Sequence, residues 1–161
     1  MKICVIYNPT SGRFNFSLLK KNLSIVFSKA NIDYVQTLNS KHATEIVSQF
    51  YTKDYDRIIC AGGDGTINEI LNGFREDLFV PLAIIPFGTA NVLSYELGIN
   101  SNFKKSLLAL QKGGDKKIYY GFAGNKKFFS MLGVGFDAYI VSKINLALKK
   151  KYGKVIYFFE T

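Results

Sequence analysis

Short apolar runs alternate along this chain with segments whose apolar residues recur at helical spacing. Ile3, Cys4, Val5 and Ile6 lie in succession within residues 2–7, which predicts a strand buried on both faces. Leu19, Leu23, Val26, Phe27 and Ala30 then follow with the spacing of one helix face. Ile32 to Leu38 predicts a second strand, and Ala43, Ile46, Val47 and Phe50 a second helix. Arg57 to Cys60 predicts a third strand; Ile67, Ile70, Leu71 and Phe74 follow it at i, i+3, i+4 and i+7. A fourth strand, Pro81 to Ile85, leads into a helix interrupted near Gly98, and Phe103, Leu107 and Leu110 mark one more helix. This alternation implies an α/β fold, a mainly parallel sheet with helices on both faces.

The rhythm changes after Gly113-Gly114. Lys116 to Phe122 and Lys126 to Gly133 predict two strands joined by Ala123-Gly124-Asn125, a hairpin signal. Residues 1–113 are therefore expected to form the α/β domain, and residues 114–161 to begin an antiparallel β domain. Near the end, Val155-Ile156-Tyr157-Phe158-Phe159 follows a lysine cluster, and so apolar a run expects a partner surface.

Three of the predicted strands end in polar turns that lead into helical patterns. The richest is Ala61-Gly62-Gly63-Asp64-Gly65-Thr66-Ile67-Asn68-Glu69, where glycines let a ligand approach the backbone closely. The helix start beyond them offers unpaired N–H groups and a positive dipole end, which suit phosphate. Asp64 falls at the expected N-cap position of that helix. On spacing alone, phosphate binding and a plain structural turn both stand. Asn8-Pro9-Thr10-Ser11-Gly12 ends the first strand and Pro86-Phe87-Gly88-Thr89-Ala90-Asn91 the fourth. Ligands of open parallel sheets bind beyond the carboxyl ends of the strands, so three such turns make a nucleotide cleft. No P-loop lysine motif is present, which sets aside a Walker-type NTPase.

With these turns the chain resembles the catalytic domain of the diacylglycerol kinase and sphingosine kinase family, in particular the bacterial soluble lipid kinases. The resemblance is carried by NPTSG (Asn8 to Gly12), GGDGTINEILNG (Gly62 to Gly73), PFGTANVLSYELGI (Pro86 to Ile99) and FFSMLGVGFDAYIV (Phe128 to Val141). Together they span nearly the whole chain. GGDGT also occurs in NAD kinases and, in similar form, in phosphofructokinases. After the fourth strand, however, an NAD kinase is expected to carry a glycine- and leucine-rich segment, where this chain has Pro86-Phe87-Gly88-Thr89-Ala90-Asn91.

The resemblance implies an NAD kinase/diacylglycerol kinase-like fold that binds ATP with Mg²⁺ and transfers the γ-phosphate to the hydroxyl of a diacylglycerol-like lipid. It implies that Asn8, Pro9, Thr10, Ser11 and Gly12 border the nucleotide, with Thr37 touching it from the end of the second strand. Gly62, Gly63, Gly65, Thr66 and Asn68, with Ile67 in the same block, would cradle phosphates, and Gly88 and Thr89 would add a close approach and a hydroxyl. Asp64 would orient Mg–ATP, and in the sphingosine kinase branch the matching aspartate is a catalytic acid/base. Asp137 matches an aspartate on the lipid side; a turn or cap residue is the alternative. No residue is assigned as a direct metal ligand. Taken by themselves, Thr37 is an ordinary β-favouring threonine, Asn72 and Asn91 are polar groups holding turns, and His42, the only histidine, is a packing residue at a helix start.

Members of this family are longer, and their second domain carries an acidic residue resembling a general base together with acidic residues linked to magnesium. The chain is therefore expected to hold the nucleotide half and the opening of the lipid half. The alternatives are a non-catalytic nucleotide-binding remnant, or half of a split kinase completed by a second chain or a homo-oligomer; an NAD kinase ranks below both.

Charge adds a partner. The net charge is +9, and residues 1–99 balance nine basic against nine acidic side chains. Residues 100–161 hold twelve lysines against Asp115, Asp137 and Glu160, so the excess lies there. Such a half suits an anionic membrane surface, with a solvated lysine-rich face as the alternative. No nucleic-acid module is recognisable, so nucleic acid is not an expected partner. No apolar run approaches the ~20 residues that span a bilayer. The chain opens directly on a strand, with no signal peptide pattern. Cys4 and Cys60 lie in predicted core strands without metal-ligand spacing, as buried thiols. The expected location is the cytoplasm, peripheral at the inner membrane face.

Overall fold

Four parallel strands run side by side, with helices packed on both faces of the sheet. The computed structural model describes residues 1–12, 14–99, 102–136 and 138–139. In chain order the elements are β1 (Lys2–Tyr7), α1 (Phe16–Val26), β2 (Asn31–Gln36), α2 (His42–Ser48), β3 (Arg57–Gly62), α3 (Asp64–Gly73), β4 (Leu82–Pro86), α4 (Val92–Glu96) and α5 (Phe103–Lys112), then a hairpin of β5 (Gly121–Ala123) and β6 (Lys126–Phe128). The sheet order is β2-β1-β3-β4. The chain winds outward from β1 to β2 and returns to pair β3 on the other side, so strand order reverses between β1 and β3. That reversal opens a crevice at the carboxyl ends of these two strands.

Period-two alternation sorts the core into two layers. Cys4, Ile6, Ile58, Cys60 and Ile84 face α2, α3 and α4, meeting Ala43, Val47, Ile67, Ile70 and Leu93. Ile3, Val5, Ile59, Ala61, Ala83 and Ile85 face α1 and α5, meeting Leu19, Leu23 and Leu107. Fully buried strands of this kind are apolar at every position, which is why the strand runs are continuous. Asn15 starts α1 by accepting a hydrogen bond from the Leu18 N–H at 2.9 Å, and Asn102 starts α5 in the same way through Lys104 and Lys105.

The expected α/β fold with its mainly parallel sheet is the fold observed, with several boundaries shifted: β2 ends at Gln36, short of Leu38, and α2 at Ser48, short of Phe50. Helix α1 stops at Val26, because Phe27 takes φ −117° and ψ 49°. Phe27 and Ala30 still pack against the α1/α5 layer, but from the turn that returns the chain to β2. Asp64 is not the N-cap of α3; Gly63 is, without a side-chain cap, and Asp64 is the first helical residue. The hairpin strands have three residues each rather than seven or eight. Just before the first expected strand Asp115 is drawn to Arg57 at 3.0 Å, and within it Ile118 packs on the α2/α3 layer. On the second, Ser130 takes a positive φ of 61° that ends the ladder.

Candidate functional site

All three sequence-singled turns lie along the carboxyl edge of the sheet. Asn8 after β1 stays zipped to β3 through its N–H and the Ala61 carbonyl at 3.1 Å, and Phe87 after β4 is zipped likewise to the Gly62 carbonyl at 2.8 Å. The Asn8 side chain closes its own turn, accepting from the Thr10 N–H at 2.9 Å and the Thr10 hydroxyl at 2.8 Å. Ser11 donates its N–H to the Asn8 carbonyl, and Pro9 and Thr10 stay exposed. Gly12 has φ +46°, and a β-carbon there would collide with the Phe87 carbonyl oxygen. The first turn is thereby pressed against the third.

The second and third turns meet backbone to backbone. A β-carbon on Gly63 would stand 2.8 Å from the Gly88 Cα, and one on Gly88 would stand 2.6 Å from the Gly63 Cα. No other residue fits at either position. Gly62 is closed from below, since its β-carbon would lie 2.7 Å from the Thr66 Oγ1. Gly65, in contrast, has nothing within 4 Å. The first turn of the ten-residue helix α3 therefore begins on an uncapped glycine beside open space. Aligned peptide dipoles make such an end electropositive.

Asp64 reaches across to the next helix instead of capping its own. Its Oδ1 accepts the Leu93 N–H in the first turn of α4 at 3.2 Å. Asp64, Gly65, Ile67 and Asn68 of α3 form one side of a cleft of about 380 Å³, Ala90, Val92 and Leu93 another, and Phe128, Phe129, Ser130 and Met131 the far wall. The α3 wall brings the polar Asp64 and Asn68, and the far wall is mainly apolar, with Phe128, Phe129 and Met131 around Ser130. Cys60 lies beneath; burial first, then the carboxylates of Asp64 and Glu69, push its thiol well above the ordinary range.

The remaining sequence candidates fall elsewhere. Thr66 and Ile67 are buried, Ile67 in the α2/α3 core layer, whereas Thr89 is exposed. Thr37 is buried at the end of β2, with its N–H on the Tyr7 carbonyl at 2.9 Å and its hydroxyl on the same oxygen at 3.4 Å. His42 accepts the Leu38 N–H on Nδ1 at 3.0 Å, which makes it part of the β2–α2 turn. Asn91 is buried in a left-handed conformation and donates to the Gly88 carbonyl at 2.7 Å. The Asn91 Oδ1 and the Ser94 Oγ are buried without a partner among the described residues. Asp137 lies outside the described residues.

Sequence patterning did not reveal the far wall. Phe128 to Met131 looks like strand core, and only the spacing of Asn68 and Asn72 by four on α3 hinted at a contact there. Asn72 holds the hairpin: it donates to the Lys127 carbonyl at 2.9 Å and accepts the Lys127 N–H at 2.9 Å. Ser130 donates to the Glu96 carboxylate of α4 at 2.7 Å.

The uncapped helix start and glycine turns fit the phosphates of a nucleotide. Among the described residues no group of three or more His, Cys, Asp or Glu side chains could hold a metal ion. Asp64 is the carboxylate that lines the cleft. No described helix is long and apolar enough to cross a membrane.

Known proteins share this fold. The family profile described as "Diacylglycerol kinase catalytic domain" matches residues 2–123. A diacylglycerol kinase of Bacillus subtilis (strain 168) is 32% identical over 96% of this chain and 52% of its own length. One of Staphylococcus aureus (strain MRSA252) is 31% identical over 96% of this chain and 50% of its own. The crystal structure of a diacylglycerol kinase from Bacillus anthracis str. Sterne superposes with a TM-score of 0.74 at 29% identity, covering 98% of this chain and 53% of that one. The chain spans about half the length of the curated relatives it matches.

Proposed function

The chain belongs to the diacylglycerol kinase catalytic-domain family, and from that premise we propose that it forms the nucleotide-binding part of an ATP-dependent lipid kinase, with a diacylglycerol-like hydroxyl as the acceptor. The observation that carries this reading is the Gly63–Gly88 contact. It locks two glycine turns together beside the open start of α3, where phosphate can reach backbone N–H groups.

Each residue set then has a task. The N–H groups at the start of α3 hold phosphate oxygens, and Gly65 leaves them accessible. Asn8 to Gly12 border the nucleotide from the first turn, Thr37 from the end of β2, and Thr89 adds an exposed hydroxyl from the third turn. Asp64, steadied by the Leu93 N–H on one carboxylate oxygen, orients the reacting groups and stands where a proton from the acceptor hydroxyl can be taken. Mg²⁺ bound to the phosphates supplies charge neutralisation. Phe128, Phe129 and Met131 offer an apolar surface to the acceptor. Asp137, outside the described residues, is proposed on the lipid side, and the lysine excess beyond residue 100 favours work at an anionic bilayer.

The test pairs calorimetric titration of the folded chain with Mg–ATP and transfer of labelled γ-phosphate to diacylglycerol in acidic vesicles. Binding by the wild type, and lipid labelling that vanishes in Asp64→Ala, are the expected results. A folded chain that binds no Mg–ATP sinks the nucleotide reading. Binding without transfer would restrict the chain to the nucleotide-holding task.

A further inference from the structure

We propose that Asn72 is a positioning residue that sets the register of the β5–β6 hairpin along α3, and through it the gap between the polar and apolar walls of the cleft. Phe122 of β5 pairs with Lys127 of β6. In an antiparallel ladder, every second residue turns both backbone groups outward. Lys127 does so, and the Asn72 amide meets both groups, each at 2.9 Å, as a neighbouring strand would. The same amide nitrogen also donates to the Asn68 carbonyl at 2.8 Å, which fixes its direction on the helix.

Two further contacts agree with this register. The Lys127 ammonium donates to the Phe74 carbonyl at the C-terminal end of α3, where the helix dipole favours a cation. Ser130 meets Glu96 of α4 at 2.7 Å. Between these ties, Phe128 to Met131 lie opposite Asp64, Gly65 and Asn68. A one-residue slip of β6 would turn its side chains to the opposite face and remove the wall. Among the described residues only Asn72 reads the backbone of β6 from α3, so the register depends on it.

The inference rests on the lipid-kinase reading for what the cleft holds, but not for the register itself. Its test therefore has two arms on the full 161-residue chain. Asn72→Leu keeps the volume and removes both bonds; Asn72→Gln keeps the amide and serves as the partial rescue. In hydrogen exchange, Asn72→Leu is expected to lose about 10- to 100-fold protection at Lys127 to Met131, while Ile70 and Leu71 of α3 keep theirs. In binding, Mg–ATP affinity is expected to stay within about twofold, while affinity for dioctanoylglycerol falls about tenfold and recovers in part in Asn72→Gln.

Unchanged protection at 127–131, or equal loss throughout α3, overturns the register role. A parallel fall in Mg–ATP and dioctanoylglycerol affinity overturns the selective effect on the acceptor side and leaves a structural hydrogen bond. A wild-type chain that binds Mg–ATP but no dioctanoylglycerol counts against the acceptor reading, while the exchange arm still decides the register.

Discussion

Along β3, Ile58, Ile59, Cys60 and Ala61 are completely buried, while in the hairpin Phe122 is 63% exposed. The sheet is held by apolar side chains that interlock on both faces. The hairpin, with three-residue strands, is held to the rest by polar ties, Asn72 to Lys127, Lys127 to Phe74 and Ser130 to Glu96, and by Phe129 just beyond it, half-buried against the α2/α3 layer. A two-stranded ribbon of this size is not stable by itself. Stability and cleft geometry therefore reside in different parts of the molecule. Substitutions in the sheet should act on the whole fold, and substitutions in the ties on one wall of the cleft.

The widest separation is expected between Ile59→Ala and Phe122→Ala. Ile59 lies in the α1/α5 layer with no exposed surface, so its truncation should cost about 2–5 kcal/mol in urea unfolding. Phe122→Ala should stay within about 0.5 kcal/mol. Similar losses in the two variants would show that the hairpin shares the core, and the contrast would fall.

Alkali should find the sheet as well. Burial, with the Asp33 carboxylate adding to it against the opposing effect of Lys2, pushes the Cys4 thiol from about 9 to about 12. Cys60 is raised by its burial and then by Asp64 and Glu69. Above pH 9 the unfolded chain releases these protons while the folded chain retains them, so stability falls as pH rises from 9 toward 12 and is unaffected by them below. Each thiol contributes about 1.4 kcal/mol per pH unit at most. A urea midpoint that holds between pH 9 and 11 would contradict this.

Glycines test whether fold and site can be separated. Gly88→Ala forces a methyl to within 2.6 Å of the Gly63 Cα and should cost about 1–3 kcal/mol, together with Mg–ATP affinity. Gly65→Ala meets nothing within 4 Å and replaces a helical glycine, so it should stabilise by up to about 1 kcal/mol. The same methyl stands where phosphate must approach, so Mg–ATP affinity should fall. If Gly65→Ala keeps full affinity, phosphate does not use this helix start.

The sheet was legible in the sequence because β1, β3 and β4 are buried on both faces and apolar through their middle positions, whereas β2, with Asn31, Asp33 and Gln36, is only half-buried. The three turns were legible because glycine is demanded wherever backbones touch, as at Gly63 and Gly88. The hairpin was misjudged in extent, since alternation along Lys116 to Phe122 carries no sign that Asp115 and Ile118 are held by β3 and the α2/α3 layer instead. Asp64 shows a similar limit. An aspartate at a helix start is an ordinary cap in one dimension, and only the fold brings the Leu93 N–H to its carboxylate. The segment Phe128 to Met131 stood out only through the family resemblance; its place as the far wall had no sign in the pattern, because Asn72, more than fifty residues earlier, ties it to α3.

The smallest effect is expected at the crossing between the two regions. After α5, which packs on the α1 face of the sheet, the chain must pass the amino-terminal edge to reach the other face, where Ile118 packs. Asp115 meets Arg57 of β3 at 3.0 Å along this path, and its side chain is 63% exposed. An ion pair so open to water contributes about 0.2–1 kcal/mol and weakens with salt. Asp115→Asn should therefore move the urea midpoint slightly at low salt and not at all at high salt. Its local consequence should be larger, because the adjoining Lys116 and Lys117 are exposed and cleavage needs only local opening. Trypsin should cut there a few-fold faster at low salt, with the sheet intact. A rate equal to wild type would assign the crossing to Ile118 alone, so that the apolar layer, and not charge, governs where the hairpin begins.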